Sequence, residues 1–341
     1  MKIKRIIILL TVLLALAALF GFVILPYISS SEAESATINI GVAIYSAEDT
    51  FISSMMDSLT KDVAEYEQSA NIRVYLRIFD AQDSQATQND QIERFISLGY
   101  DVLCVNLVDR TDAAFIIDKA MEADIPVIFF NREPVEEDMQ KWEKLYYVGS
   151  DARESAELEA QIVIDQYLKN PRSIDLNGDG IIQYIMLEGE RRHQDAIIRT
   201  EVSVQKLKEA GLTLEKLDGG IANWDRNQAA ALTEQYFTTY GDEIELIICN
   251  NDDMALGAAD AVDRLGIRFI NIVGIDGTAA GLDALEDGRI LGTVVMDLDA
   301  HAQTIFDIAR TLAVGGSVDE VADVQKDKSV RVPMHVVSIN G

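Results

Sequence analysis

Cysteine is nearly absent, with two in 341 residues. Two thiols cannot build a disulfide framework, and no CxxC pair offers a zinc knuckle. Both sit in apolar strand-like runs, Leu103-Cys104-Val105 and Ile248-Cys249-Asn250, and read as small buried hydrophobes. Positive charge is also scarce: Lys+Arg number 29 against 57 Asp+Glu, a formal net charge of −28. A surface this acidic repels phosphate backbones, which argues against a nucleic-acid partner. Ser-His-Asp elbows, Walker loops and HExxH are missing as well. What is present is ordinary globular material, 48% hydrophobic and 25% charged, in a chain long enough for two packed domains.

The N-terminus speaks to compartment. Lys2, Lys4 and Arg5 precede an uncharged apolar run over 6–25, long enough to cross a bilayer as a helix. A positive end before such a run marks a secretory signal or a signal anchor with the positive end inside. The run exceeds a usual signal core, and the positions near Ala33 and Ser35 lack a clean small-x-small pattern. An uncleaved anchor is therefore the first reading and a cleaved signal the second. No Cys follows the run to take a lipid, so the chain is expected outside the cytoplasm, at the cell surface, tethered without lipidation. Residues 29–36 read as a polar linker.

Beyond it, strand and helix patterns alternate. Strands are expected over 38–45, 74–79, 102–107 and 126–130, with helices over 51–66, 85–98 and 113–123 between them. The cycle repeats with strands over 182–187, 246–249, 269–275 and 290–295. Its helices are expected over 196–210, 227–239, 254–265 and 302–314. Two successive sets imply an α/β protein of two doubly wound lobes. In such sheets the residues after the strand ends line the ligand crevice. Those positions hold Asp49, Phe51, Asn106, Asp109, Asn131, His193, Asp195, Asn251, Asp252, Asp276 and Met296, with Arg199 and Trp224 nearby.

That set is rich in planar carboxylate, amide and guanidinium groups, which can bond two neighbouring hydroxyls at once. Its aromatics can pack on the apolar C–H faces of a pyranose. Together they read as a sugar site, although singly each Asp or Asn could merely cap the next helix.

The motifs carry a resemblance. They are Ile40-Gly41-Val42-Ala43-Ile44-Tyr45 with Asp49 and Phe51, Gln88-Asn89-Asp90-Gln91-Ile92, Asn106-Leu107-Val108-Asp109, Phe129-Phe130-Asn131 with Glu133-Pro134, and Tyr146-Tyr147-Val148-Gly149. They continue with His193-Gln194-Asp195 and Arg199-Thr200, Trp224-Asp225, Asn250-Asn251-Asp252 with Met254, Gly274-Ile275-Asp276, and Arg331-Val332-Pro333. In this order, over nearly all of 37–341, the chain resembles the galactose/glucose-binding proteins, the receptors that feed ABC sugar transporters. The resemblance implies a type I periplasmic binding protein fold, two Rossmann-like lobes joined by a hinge. The expected division is 1–31 for the anchor and start of the linker, 37–125 plus 296–332 for the first lobe, and 126–295 plus 333–341 for the second. It also implies that Asp49, Asn106, His193, Asp195, Arg199, Asn251 and Asp276 hydrogen-bond a sugar and that Phe51 and Trp224 sandwich its ring. Met296 stands where the family usually has Asn.

A second constellation is Asp175-Leu176-Asn177-Gly178-Asp179-Gly180-Ile181-Ile182-Gln183. Oxygen side chains at loop positions one, three, five and nine, a Gly at six and the carbonyl of Ile181 at seven match a calcium loop of EF-hand type. Met186 occupies the twelfth position, where Glu is usual. The resemblance assigns the closing carboxylate to Glu245, which completes a structural Ca²⁺ site.

Other residues lean structural. Met55, Met56 and Leu59 read as core, His301 and His335 as surface, and Trp142 as cover for a lobe edge. Asp49, Asp195 and Asp276 could furnish a glycosidase pair, but the resemblance is to non-catalytic receptors and no enzyme is expected. A repressor of like architecture would need a DNA-binding module where the apolar run lies. The expected partners are a monosaccharide and the permease of an ABC importer or, in the alternative, a membrane sensor such as a histidine kinase. The receptor itself is expected to be a monomer.

Overall fold

The computed structural model describes residues 37–70 and 72–339. The apolar run over 6–25 and the polar linker lie outside the described residues. Among the described residues no helix is long and apolar enough to cross a membrane.

The first sheet is wholly parallel, ordered β11-β5-β4-β3-β1-β2. Its strands are β1 (Thr37–Ile44), β2 (Arg73–Asp80), β3 (Val102–Val105), β4 (Val127–Phe130), β5 (Leu145–Gly149) and β11 (Ser329–Arg331). β3 and β4 are buried at every residue, as strands covered on both faces must be. The helices α1 (Thr50–Ala70), α2 (Gln85–Ser97), α3 (Ala114–Glu122) and the single turn α4 (Glu136–Met139) belong to the same chain segment. Phe51, Ile52, Met55, Met56, Leu59 and Val63 form the buried stripe of α1.

The second sheet has the order β12-β10-β9-β8-β6-β7. Its strands are β6 (Ile182–Glu188), β7 (Leu214–Ile221), β8 (Leu246–Cys249), β9 (Asn271–Asp276), β10 (Gly292–Met296) and β12 (Met334–Ser338), the last antiparallel to β10. The helices with it are α5 (Ala152–Lys169), α6 (Gln194–Glu209), α7 (Arg226–Tyr240), α8 (Asp252–Leu265) and α9 (Ala279–Glu286). α10 (Leu298–Ala313) returns to the first lobe and packs on α1, β1 and β3.

The chain thus passes between sheets three times, after Gly149, after Met296 and after Arg331. The first passage corrects the expected boundary at 125/126. β4 pairs with β3, and β5 with β4, so 126–149 extends the first sheet. A strand buried on both faces does not announce which sheet it joins. α5 was not anticipated because its buried face is Ala152, Ser155, Ala156, Glu159 and Ala160 before Ile162 and Val163, with little apolar contrast.

Three further expectations can be compared with the fold. Both cysteines are free and fully buried. His335 is exposed. His301, read as surface, is instead 1% exposed. It lies one turn into α10, where the helix turns its inner face to the hinge.

Candidate functional site

The strand ends of both sheets meet in one cleft. Its inner chamber, about 30 Å³, is lined by Asp49, Phe51, Asn131, Arg132, His193, Asp195, Arg199, Trp224, Asn251 and Asp276. A space that small holds about two or three waters. An outer vestibule of about 590 Å³ shares Asp49, Arg132 and Trp224 with it.

Each side chain is placed by a helix start or a tight turn. Asp49 Oδ1 accepts from the amide of Ile52 (2.9 Å) at the first turn of α1, and its Oδ2 accepts the hydroxyl of Tyr45. Asn251 caps α8 by accepting from Met254 N (3.0 Å). His193 caps α6, its Nδ1 accepting from Asp195 N (3.2 Å). Capping and lining the cleft therefore coincide at these positions, because helix starts point into the crevice. Trp224 follows Asn223 with both at positive φ, 62° and 52°. Its ring presses on Gly189, where an added Cβ would come within 2.2 Å of it, so only glycine fits beneath the indole. Trp224 and His193 meet edge to face with ring centroids 5.0 Å apart. Asp276 holds φ at 129°, a conformation rare for a side-chain-bearing residue and typical of functional sites.

Arg199 is the electrostatic centre. It is 5% exposed and donates through Nη1 to the carbonyl of Asn250 (2.8 Å). Asp195 Oδ2 lies 3.7 Å from Nη2 and Asp276 Oδ1 3.9 Å from Nη1. These are ion pairs longer than hydrogen bonds, so the carboxylates keep lone pairs for hydroxyl donors. Burial pushes the Asp276 carboxyl well above its usual range against the pull of Arg199, and Asp252 and Asp49 add repulsion. Burial raises Asp195 too, again opposed by Arg199. His193 is held well below the usual imidazole range by burial and by Arg132, Arg199 and Arg110. The ring is neutral, and because Nδ1 accepts, Nε2 carries the proton and is a donor.

Asn106 and Met296 do not line the chamber. Asn106 is fully buried behind it and donates to the carbonyl of Phe130 (3.2 Å) and to Asn131 Oδ1 (3.1 Å). The amide that faces the chamber is that of Asn131. Met296 is 5% exposed and reaches the site through its sulfur, 3.6 Å from Arg199 Nη2. Arg132 was missed. It lies two residues past β4, is 5% exposed, stacks on Tyr45 at 3.5 Å and pairs with Glu190 of the other lobe at 2.6 Å. The strand-end rule, carried one residue beyond Asn131, would have included it.

The loop over 175–183 is assembled around its own amides. Asp175 accepts from Gly178 N (2.6 Å) and Gly180 N (3.1 Å), Asn177 Oδ1 from Asp179 N (2.8 Å), and Asp179 Oδ1 from Ile181 N (2.8 Å). Gln183 Nε2 donates to Asp179 Oδ2 (3.1 Å). Gly180 sits at φ 85°. Glu245, fully buried and immediately before β8, reaches the loop and accepts from Asn177 N (2.8 Å) and Gln183 N (3.1 Å). The donors are all oxygen, which suits a hard cation. Even so, no three His, Cys, Asp or Glu among the described residues form a group that could hold a metal as they stand.

A family model described as a periplasmic binding protein domain matches residues 40–317. The D-galactose/methyl-galactoside binding periplasmic protein MglB of Haemophilus influenzae is 35% identical over 307 residues, 89% of this chain and 91% of that protein. A putative rhizopine-binding protein of Rhizobium meliloti is 30% identical over 298 residues, 85% of this chain and 88% of that one. Among solved structures, an ABC transporter solute binding protein of Bacillus halodurans with bound myo-inositol is similar at 29% identity and TM-score 0.73. That match covers 90% of this chain and 96% of the other. A periplasmic solute binding protein of Actinobacillus succinogenes with bound D-allose shares the fold at 19% identity and TM-score 0.75, covering 89% and 98%.

Proposed function

The chain belongs to the periplasmic binding protein family, and from that membership we propose that it is an extracytoplasmic monosaccharide receptor delivering sugar to the permease of an ABC importer. The observation that carries the reading is one cluster at the lobe interface. Asp49, Asp195, Asp276, Arg199 and Asn251 converge on a chamber flanked by Phe51 and Trp224. A sugar hydroxyl gives its proton to a carboxylate while its oxygen accepts from the guanidinium, the Asn amide or His193 Nε2. Each such charge-assisted bond contributes roughly 1.5–3 kcal/mol. The inner chamber is smaller than a hexose, so the sugar enters with the lobes apart, and the lobes close on it about the three crossing segments.

The reading is of a binder, not a catalyst. The His193 Nδ1 lone pair is used in capping α6, Asp195 and Asp276 face Arg199, and Asp49 is tied to the first turn of α1. Calorimetry against a panel of hexoses, pentoses and glycosides tests the proposal: micromolar or tighter binding of one sugar is expected, and no heat with any of them refutes it. Incubation with nitrophenyl glycosides tests the catalytic alternative, for which no turnover is expected.

A second reading, a sugar sensor read by a histidine kinase or chemoreceptor, is favoured by one feature. The apolar run over 6–25 is followed by no Cys for lipid attachment. Neighbouring genes for permease and ATPase, or for kinase and response regulator, separate the two. The galactoside named for the Haemophilus relative makes galactose and its methyl glycoside the first sugars to try. The loop over 175–183 with Glu245 is proposed to take a structural Ca²⁺ after its oxygens turn from loop amides to the ion.

A further inference from the structure

Behind the sugar chamber lies a second polar cluster that neither capping nor ligand contact accounts for. Glu159 sits in the middle of α5, fully buried, and neither of its carboxylate oxygens has a protein partner. α5 packs along α6 and on β9, β10 and β12. On α6, Ser203 is 1% exposed and its hydroxyl is likewise unpartnered. One turn earlier on the same face stands Arg199, whose Nη atoms reach Asn250, Asp195, Asp276 and Met296, while its Nε–H has no acceptor. Two carboxyl oxygens, one hydroxyl and one guanidinium N–H are therefore buried without partners on two helices that pack against each other, and the charge of Arg199 acts on Glu159.

A buried polar atom left unbonded costs about 1–3 kcal/mol, and buried waters in folded proteins typically bond polar groups that lack a protein partner. The cluster offers a water one donor, the Arg199 Nε–H, and two groups that can both give and accept, the Ser203 hydroxyl and the Glu159 carboxyl, which meets the two to four partners an internal water requires. We infer that Glu159 is a positioning residue of the sugar site, fixing Arg199 from its stem side through water held between the Glu159 carboxyl, Ser203 Oγ and Arg199 Nε. Chamber and cluster share the one guanidinium, so how its plane is set decides how Asp195 and Asp276 present their free lone pairs. The groups whose charge acts on Glu159 are Arg199 from α6 and Asp252 from the start of α8, and Cys249 at the end of β8 feels Glu159 in turn. Burial pushes the Glu159 carboxyl well above its usual range, against the pull of Arg199, which favours the neutral acid, a group that both gives and accepts a hydrogen bond. Glutamine reproduces that capacity and leucine removes it.

The test uses the full chain and two readouts. The first is D-galactose affinity by calorimetry, or that of whichever panel sugar gives heat, in Glu159→Gln, Glu159→Leu and Ser203→Ala. This arm rests on the sugar-binding reading. The second does not: it is the Arg199 Nε–H cross-peak in a proton–nitrogen spectrum, assigned by its loss in Arg199→Lys, with its exchange rate against water. Expected are a tenfold or larger affinity loss and at least tenfold faster Nε–H exchange in Glu159→Leu, rescue to within about threefold in Glu159→Gln, and an intermediate effect in Ser203→Ala. If no sugar binds, the sugar reading fails and the exchange arm alone decides. Should Glu159→Leu fail to fold, Ser203→Ala and Glu159→Gln carry the comparison. An Nε–H exchange rate unmoved by every variant that folds overturns the inference, and so does Glu159→Gln as impaired as Glu159→Leu.

Discussion

Ser150 Oγ lies 3.2 Å from Nε2 of His301, and this contact joins the first and second of the three segments that pass between the lobes. Ser150 follows β5 and also donates to the carbonyl of Val332 (3.1 Å) in the third segment. His301 Nδ1 lies 2.8 Å from the carbonyl of Asp297 in the second. A carbonyl only accepts, so Nδ1 carries the proton and Nε2 of the neutral ring keeps a lone pair, and the single Ser150 hydroxyl proton is shared between that lone pair and the Val332 carbonyl. The hinge is thus a bonded junction.

The first prediction concerns acid stability. Burial lowers the His301 pKa from the usual 6.5, against an opposing pull from Asp297. The unfolded chain takes up a proton near 6.5 while the folded hinge resists it until lower pH. The stability His301 contributes is therefore complete above pH 6.5 and falls as pH drops through the folded value. Melting curves of wild type and His301→Gln from pH 8 to 5 should converge toward acid, and parallel curves would show that this histidine does not titrate in the transition.

Removing Asp195 leaves Arg199 with Asp276 as its remaining carboxylate partner and takes one charged acceptor from the chamber. Asp195→Ala should weaken sugar binding by about tenfold or more, roughly 1.4 kcal/mol, with the melting temperature of the sugar-free protein nearly kept. Calorimetry and a melting curve on one preparation measure both.

Arg132 and Glu190 bridge the lobes at 2.6 Å, and Arg132 is 6% exposed in its side chain against 33% for Glu190. Losing a fully buried partner costs about 3–5 kcal/mol. Partial exposure of Glu190 reduces this to about 1–2 kcal/mol, because solvent screens the pair. Glu190→Gln should loosen the closed form and lower sugar affinity by about tenfold. Small-angle scattering with saturating sugar should show the same closed dimensions, with faster sugar release in stopped flow.

Calcium, if bound, would use Asp175, Asn177, Asp179, the Ile181 carbonyl, Gln183 and Glu245. An ion held only by the folded state stabilises it by mass action. Chelator should then lower the melting temperature while sugar binding persists, since the loop lies outside the residues lining the chamber. Unchanged melting with no calcium in the purified protein would refute the site.

Met296 places a thioether against Arg199 Nη2 where an amide would both give and accept hydrogen bonds. Met296→Asn should raise affinity for unmodified glucose or galactose about tenfold, roughly 1.4 kcal/mol. Paired titrations of the two proteins decide it. Equal or weaker binding by the variant would mean that a neighbouring group already fills the role.

Most of the fold was legible because alternation of apolar strands with amphipathic helices is a local property. β1, β3, β8 and α2 fall within two or three residues of where the patterns put them. α5 and β7 were not legible. The buried face of α5 carries Ala, Ser and Glu, and β7 is a half-exposed edge strand with two glycines. The site was legible as chemistry at strand ends, since helix caps and ligand groups draw on the same Asp, Asn and His residues. Its layering was not. That Asn131 rather than Asn106 faces the chamber depends on the turn after β4, where Asn131 takes φ 61°.

The sequence by itself determined two doubly wound lobes, an acidic crevice with two flanking aromatics, and an oxygen-rich loop at 175–183, because each is written in neighbouring residues. Tertiary structure alone decided which sheet takes β4 and β5, which lobe supplies the partner of Arg132, and that His301 is buried at the hinge. Those outcomes arise from three passages between the lobes, which bring together residues as far apart as Ser150 and Val332, and no local pattern of side chains encodes where such passages fall.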